Sequence, residues 1–168
     1  MPNTKKLIVS AQLVALDVVF TRLLAVSTPL MKIGLGFAAV ALSAMLYGPW
    51  WAALVAALGD VVGALLFPTG AFFPGFTLTA ACTGLLFGLC LYRRDKSLLW
   101  PILAALLNTV LVSYLANTAM ISYISGTPYT TLLKARAVQL AVMLPVQGAV
   151  LSFLHRSRAI KRLLERAE

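Results

Sequence analysis

Charged residues, and acidic residues above all, are scarce in this chain. Only 11% of its 168 residues are charged, while 61% are hydrophobic. A soluble domain carries about 25% charged residues. Five Asp and Glu stand against fourteen Lys and Arg. This composition excludes an ordinary water-soluble domain and indicates a chain embedded in a membrane.

Residues that build metal sites and hydrolytic active sites are also few. The chain has one His and two Cys. Cys82 and Cys90 lie eight residues apart in one apolar run, too far along a helix to bond to each other, and no other Cys or His stands near them. Neither a phosphate-binding glycine loop nor a nucleophile with a paired base is present. We therefore expect no metal, no cofactor and no enzymatic activity.

A net charge of +9 would suit nucleic-acid binding, but the position of the cations argues against it. The basic residues stand at the ends of apolar runs and form no patch interleaved with aromatic residues. We expect no nucleic-acid partner. Anionic lipid is the favoured contact for the basic tail at residues 155–168.

Six apolar segments predict the fold. A membrane-spanning helix needs about 20 mostly apolar residues. The sequence YGPWW at residues 47–51 divides one long apolar run, because Gly and Pro end a helix and Pro can begin the next. We predict an all-α integral membrane protein in which residues 1–168 form a single six-helix domain. The predicted spans are residues 7–26, 33–47, 50–67, 71–92, 97–123 and 135–154.

The distribution of Lys and Arg predicts the orientation. Six spans place both termini on one side, and ten of the fourteen basic residues lie on that side. Because cytoplasmic loops are enriched in Lys and Arg, we predict a multi-pass protein of the cell membrane with both termini cytoplasmic. The four cations left on the outer side are Arg22, Lys32, Lys134 and Arg136.

These four outer cations need a reason to be there. Long basic side chains often reach an interface without a function. For Lys32 or Lys134 taken singly, this explanation is as good as ligand binding. Four cations from two helices favour an anionic ligand instead. Arg22 and Arg136 are the stronger candidates, since a guanidinium grips a carboxylate at two points.

Two acidic residues lie within predicted spans. An ionised carboxylate there costs roughly 2.5–3.5 kcal/mol on insertion scales unless it is paired. Asp17 is more readily a structural partner, and its five-residue distance from Arg22 predicts a partner on another helix. Asp60 lies between Gly59 and Gly63, a small-residue pair that we interpret as internal helix packing.

Uncharged polar residues mark the fifth and sixth spans. One face of the sixth span carries Arg136, Gln139, Met143 and Gln147 at three- and four-residue steps. Asn108 and Asn117 lie nine residues apart, on opposite faces of a regular helix, so at most one should point inward with full effect. Such amides either join helices or read the hydrogen-bonding edge of a heterocycle.

Aromatic residues with Gly and Pro crowd the outer loops, in FPTGAFFPGFT (residues 67–77) and YISGTPYTT (residues 123–131). They form either an interfacial belt or the walls of a site for a flat ligand. The ring candidates are Phe72, Phe73, Phe76 and Tyr129.

Four stretches carry a resemblance to a known family: TRLL (residues 21–24), IGLGF (33–37), YGPWW (47–51) and ALGDVVGALLFPTGAFFPGFTLTA (57–80). The chain resembles the substrate-binding S components of energy-coupling-factor (ECF) vitamin importers, in their folate-specific branch. The resemblance implies a binding subunit that captures its vitamin at the outer face, under the loop joining helices 1 and 2. It also implies partners: a transmembrane coupling subunit, which Ala11 and Ala15 of helix 1 would contact, and two ATPase subunits.

For folate or a related pterin, the resemblance implies roles for these residues. Asp60 would accept hydrogen bonds from the pterin, the cations would hold the glutamate tail, and the aromatic rings would stack. The expected ligand-binding set is Arg22, Lys32, Asp60, Phe72, Phe73, Phe76, Asn108, Tyr129, Lys134, Arg136 and Gln139. Another anionic vitamin, pantothenate or biotin, also fits the cations. A small structural or assembly membrane protein with no ligand is the alternative of a different class.

Overall fold

A computed structural model describes residues 3–27, 32–68, 73–93 and 97–157, and within these ranges it confirms the predicted all-α fold of six helices. The helices are α1 (Asn3–Val18, continued by a π-helical turn, Val19–Leu23), α2 (Gly36–Tyr47), α3 (Pro49–Leu66), α4 (Pro74–Leu91), α5 (Leu99–Ser125) and α6 (Tyr129–Arg156). Helix α5 is itself π-helical over Asn108–Ala116.

Four of the described helices, α3 to α6, are long and apolar enough to cross a membrane. Helix α2 has 12 residues, which is about 18 Å of helix against about 30 Å of hydrocarbon. Most of its side chains are buried, and it contacts α1, α3, α4 and α6. Helix α2 is therefore the centre of the bundle, where a helix is apolar on all sides.

The connection between α1 and α2 contains a feature that the sequence did not predict. Strand β1 (Val26–Ser27) pairs antiparallel with strand β2 (Lys32–Ile33), with Val26 opposite Ile33. Strand β2 also contacts α6. The first loop thus folds back on itself beside the last helix, and we call this side of the bundle the hairpin end.

The opposite side, which we call the terminal end, is defined by contacts between the start of α1 and the turn between α2 and α3. The Lys6 ammonium lies 4.0 Å from the centre of the Trp51 ring and 5.3 Å from that of Tyr47. Trp51 Nε1 donates a hydrogen bond of 2.6 Å to Ser10 Oγ. Gly48, with φ of +86°, forms the one-residue turn, a conformation that favours glycine.

Glycines set the contact between α3 and α4. A Cβ atom at Gly84 would lie 2.5 Å from the backbone of Ala52, and one at Gly88 would overlap the backbone of Pro49. The missing side chains let the two helices touch backbone to backbone. Gly84 and Gly88 repeat the four-residue spacing of Gly59 and Gly63, and this contact agrees with the interpretation of such small-residue pairs as internal packing.

We expect Gly84→Ala to destabilise the protein by about 1–3 kcal/mol, because the added methyl group must push α3 and α4 apart. Thermal unfolding in detergent measures the effect. Gly148→Ala on α6 is the matched control, since a Cβ atom added at Gly148 would meet no neighbouring atom within 4 Å, and we expect it to be neutral or slightly stabilising. Equal melting temperatures for the two variants would contradict this packing.

Candidate functional site

A cavity of about 220 Å³ lies among the helices on the side of Gly34, which follows strand β2. All helices contribute to its wall. The polar and charged residues that line it include Asp17, Asp60, Asn108, Asn117, Arg136 and Gln147. A cavity with this many polar groups inside an apolar bundle is a candidate binding site.

Asp17 of α1 is 5% exposed and fits against two glycines. A Cβ atom at Gly59 of α3 would overlap its Oδ2 atom, and one at Gly36 of α2 would lie 2.7 Å from Oδ1. Since neither neighbouring helix has a side chain at the contact, the carboxylate can lie between them. Helix α1 is thereby fixed to both α2 and α3.

Arg22, in the π-helical turn after α1, pairs with Asp60 of α3. Its Nη2 atom lies 3.4 Å from Asp60 Oδ1, and Thr77 of α4 donates a 2.8 Å hydrogen bond to Asp60 Oδ2. A Cβ atom at Gly63 would lie 3.3 Å from Arg22 Cγ and 2.9 Å from Nε. Both oxygens of Asp60 are thus engaged from two neighbouring elements, which reduces the cost of burying the carboxylate.

Arg136 of α6 is 4% exposed, and its described partners are neutral. Its Nε and Nη2 atoms both donate to Gln139 Oε1 at 3.1 Å, and Nη1 donates to Thr118 Oγ1 at 3.0 Å. Within the described part of the chain, no carboxylate lies within 4.0 Å of this guanidinium. The cavity therefore holds a buried cation whose described hydrogen bonds supply no compensating negative charge.

An amide pair joins α5 and α6. Asn108 Nδ2 donates to Gln147 Oε1 at 3.1 Å, and Thr109 Oγ1 donates to the same oxygen at 3.0 Å. The Oδ1 atom of Asn108 is buried and accepts no hydrogen bond from the residues that the structure describes. A buried acceptor in this state is uncommon and needs an explanation.

The expectation that Asn108 and Asn117 lie on opposite faces of the helix was wrong. Both line the cavity, and Asn117 Oδ1 accepts a 2.7 Å hydrogen bond from Thr79. The reason is the π-helical stretch Asn108–Ala116. An i→i+5 helix turns through a smaller angle per residue than an α-helix, so nine residues bring the second amide back to the same side.

The other predicted ligand-binding residues are divided between the cavity and its surroundings. Asp60, Asn108, Arg136 and Gln139 line the cavity, and Arg22 reaches it through Asp60. Lys134 is exposed and Tyr129 Oη donates to Leu115 O at 3.4 Å, and neither lines the cavity.

Of the predicted aromatic residues that the structure describes, Phe73 and Phe76 also lie outside the cavity lining. The Phe73 ring packs edge-on against Phe76, with 6.2 Å between centroids, and lies 6.0 Å from Tyr123. Phe72 lies outside the described residues, and Lys32 is described only by its backbone in β2.

Sequence reasoning missed the threonines of the site, Thr77, Thr79, Thr109 and Thr118. Each donates to, or accepts from, a charged or amide side chain on another helix. Thr is common in membrane helices and often bonds its own backbone, so its type and spacing gave no signal. Asp17 was assigned a structural role, and its contacts with glycines of α2 and α3 agree with that role.

Comparisons with known proteins agree on one family. A family model described as "ECF-type riboflavin transporter, S component" matches residues 1–154. The chain is 38% identical over 151 residues to the folate transporter FolT of Clostridium novyi (strain NT), covering 90% of this chain and 88% of the relative. It is 30% identical over 164 residues to FolT of Leuconostoc mesenteroides subsp. mesenteroides, covering 94% and 88%.

A solved structure, described as FolT bound with folic acid, has the same fold. It superposes with a TM-score of 0.86 at 34% sequence identity, covering 90% of this chain and 93% of that chain. At 34% sequence identity, the two proteins are similar in sequence as well as in fold.

We expect Asp60→Ala to destabilise the protein by about 1–3 kcal/mol, because Arg22 loses the carboxylate beside it in a partly buried site. The double variant Arg22→Met with Asp60→Ala should recover part of this loss, since it removes the uncompensated charge. Thermal melts of the wild type, both single variants and the double variant form a complete cycle. Strictly additive losses would show that the two side chains do not stabilise each other.

Proposed function

This chain belongs to the family of S components of ECF-type transporters, and on that premise we propose that it is the folate-binding membrane subunit of an ATP-driven vitamin importer. It captures folate in the cavity and delivers it with a coupling module. Its role is to bind and hand over the vitamin, so we assign it no catalytic residues and no cofactor. The proposal draws its ligand from the relatives named for folate transport and from the structure with folic acid.

The observation that carries this proposal is the buried guanidinium of Arg136 in the cavity wall. Of the five N–H groups of a guanidinium, three make the bonds to Gln139 and Thr118, which leaves two with no partner among the described residues. Folate has two carboxylates on its glutamate tail, and a carboxylate can accept two parallel N–H bonds from Arg. The ligand would thus supply the negative charge that the described neighbours of Arg136 lack.

This reasoning also selects among the vitamins of the family. Riboflavin has no carboxylate, so it would leave Arg136 uncompensated even though the matching family model carries its name. Pantothenate and biotin have one carboxylate each and no amino-substituted heterocycle. The amides Asn108, Asn117 and Gln147 match the several donors and acceptors of a pterin better than the groups of those two vitamins.

We propose that the whole chain forms one six-helix domain of the cell membrane, with the terminal end in the cytoplasm and the hairpin end outside. The described cations Lys5, Lys6, Arg93 and Arg156 stand at the terminal ends of helices, where anionic lipid would attract them. The cavity then lies on the outer side, where an importer meets its vitamin. Lys32, Lys134 and the aromatic residues Phe72, Phe73, Phe76 and Tyr129 remain candidates for contact with the vitamin as it enters.

We propose that Ala11 and Ala15 of α1 contact the transmembrane coupling subunit, which acts with two ATPase subunits. Both alanines are exposed, while Asp17 on another side of the same helix is buried. Small residues allow close approach of a second helix. Gln12, next to Ala11, is also exposed, and its amide would gain a hydrogen-bonding partner from a protein that it cannot gain from lipid tails.

We expect the purified protein in detergent to bind folic acid one-to-one and Arg136→Gln to bind it about a hundredfold more weakly, because a buried charge-assisted contact contributes about 1.5–3 kcal/mol. Tryptophan fluorescence quenching gives the affinity. Pantothenate, biotin and riboflavin are titrated alongside.

Lys134→Gln is the charge-matched comparison, since Lys134 is exposed on the same helix, does not line the cavity, and would contact the vitamin only as it enters. We expect it to change the affinity less than threefold. An equal loss in both variants would favour attraction by the overall outer charge over a contact with Arg136. A folded protein that binds none of the four vitamins would overturn the proposed function.

We expect Ala15→Leu to block assembly with the coupling module while leaving the affinity for folic acid unchanged, because the larger side chain holds the partner helix away. Co-purification with the coupling subunit and the two ATPases measures assembly. Ala141→Leu makes the same change on an exposed position of α6 and should assemble normally. Loss of assembly in both variants would indicate a general defect and remove α1 from the proposed interface.

A further inference from the structure

One tryptophan of α3 holds the start of α1. Trp51 Nε1 donates a 2.6 Å hydrogen bond to Ser10 Oγ, and Ser10 Oγ donates a 2.7 Å hydrogen bond to Lys6 O. The Lys6 ammonium lies 4.0 Å from the centre of the Trp51 ring, a position at which the face of the ring attracts a cation. Trp51 therefore contacts two successive turns of α1, one through its N–H group and one through its ring.

The first turn of α3, which carries Trp51, is itself fixed. Pro49 and Ala52, on either side of Trp51 along the chain, pack against α4 at two glycines. A Cβ atom at Gly84 would lie 2.5 Å from the Ala52 backbone, and one at Gly88 would overlap the Pro49 backbone. Because such close packing resists small displacements, Trp51 is attached to a rigid part of the bundle, and α1 is positioned against it.

The face of α1 that is held in this way lies opposite the face that carries the alanines. At about 100° per residue, Lys6, Ser10 and Asp17 lie within about 40° of one another around the helix. Ala11 and Ala15 lie about 120° and 160° from the middle of that group. Burial agrees with this arrangement, since Ser10 and Asp17 are buried whereas both alanines are exposed.

The rotation of α1 about its own axis decides which side chains a neighbouring helix would meet. Leu7 is 59% exposed and lies about 40° around the helix from Ala11. A second helix can approach closely at an alanine but not at a leucine. A rotation of α1 by a fraction of a turn would therefore present Leu7 in place of the small side chains.

On the basis of the proposed function, we infer that Trp51 is a positioning residue for assembly with the coupling subunit. Its contacts with Ser10 and Lys6 fix the rotation of α1 at which Ala11 and Ala15 face that partner. The coupling subunit then meets a preformed surface and does not have to turn the helix as it binds.

Helix α1 is attached to the bundle at two levels, and the two differ in their relation to the cavity. Toward the hairpin end, Asp17 fits against Gly36 and Gly59 and lines the cavity. A change there would alter vitamin binding and assembly together. Trp51 and Ser10 are not among the residues that line the cavity, so a change at either should alter assembly alone.

Trp51→Phe tests this inference, because phenylalanine keeps a ring beside Lys6 but has no N–H group for Ser10. We expect the purified variant to bind the coupling module about threefold to tenfold more weakly, since α1 is less often at the required rotation. Surface plasmon resonance with the coupling subunit and both ATPases gives the dissociation constant. The affinity for folic acid, from calorimetry, should stay unchanged. Ser10→Ala should weaken assembly similarly, and the double variant should lose no more than either single variant.

Trp50→Phe is the matched control, since it makes the same change at an adjacent side chain that is 78% exposed. Leu151→Ala lowers stability from the core of α6, where Leu151 is 0% exposed. We expect both of these variants to assemble normally. Normal assembly of Trp51→Phe and Ser10→Ala, additive losses in their double variant, or an equal loss in Leu151→Ala would overturn the inference.

The wild-type protein separates this inference from the proposals beneath it. If it binds folic acid and assembles, unchanged assembly of Trp51→Phe and Ser10→Ala refutes the role of Trp51 alone. If it binds folic acid but does not assemble, the proposed contact of α1 with the coupling subunit is refuted as well. If it binds no folic acid, the proposed function is refuted.

Discussion

The structure depends on how an apolar bundle accommodates buried charge. Asp17 and Arg22 of α1 both face α3, where Gly59 and Gly63 leave room for them. The carboxylate fits against Gly59, and the arginine side chain passes Gly63 to reach Asp60. An unpaired charge among lipid-embedded helices would cost several kcal/mol. The Arg22–Asp60 pair offsets this cost for its own two charges, and the close fit of Asp17 and Arg22 against the glycines fixes the first helix beside the cavity.

Departures from regular α-helix occur where the site is built. The π-helical turn Val19–Leu23 carries Arg22, and the stretch Asn108–Ala116 begins at Asn108, which lines the cavity. π-helical turns are frequent at functional sites, since they rotate side chains out of the α-helical sequence of faces. Here the rotation brings Asn117 to the same cavity as Asn108. The regular α-helical geometry of α1 and α5 is therefore interrupted where polar side chains are brought together.

The cations of α6 illustrate how position decides the role of a charge. Lys134 and Arg136 are two positions apart, so they point to nearly opposite sides of an α-helix. Arg136 is buried in the cavity wall, whereas Lys134 is exposed. Both count equally in the charge balance of the chain, but Arg136 is held in the cavity wall by Gln139 and Thr118. Charge supports the proposed attraction to an acidic vitamin, and the burial and hydrogen bonds of Arg136 support it as the proposed carboxylate site.

The sequence alone determined the number of helices, the break at Gly48, the internal packing of the glycine pairs and the shared face of Arg136, Gln139 and Gln147. These features depend on composition and on spacing within one regular helix, which the order of residues specifies directly. Only the tertiary structure decided that Arg22 pairs with Asp60, that a strand pair closes the first loop, and that both amides of α5 face inward. Those features depend on how separate helices pack and on a local change in helical pitch, and neither is written in the spacing of residues along one segment.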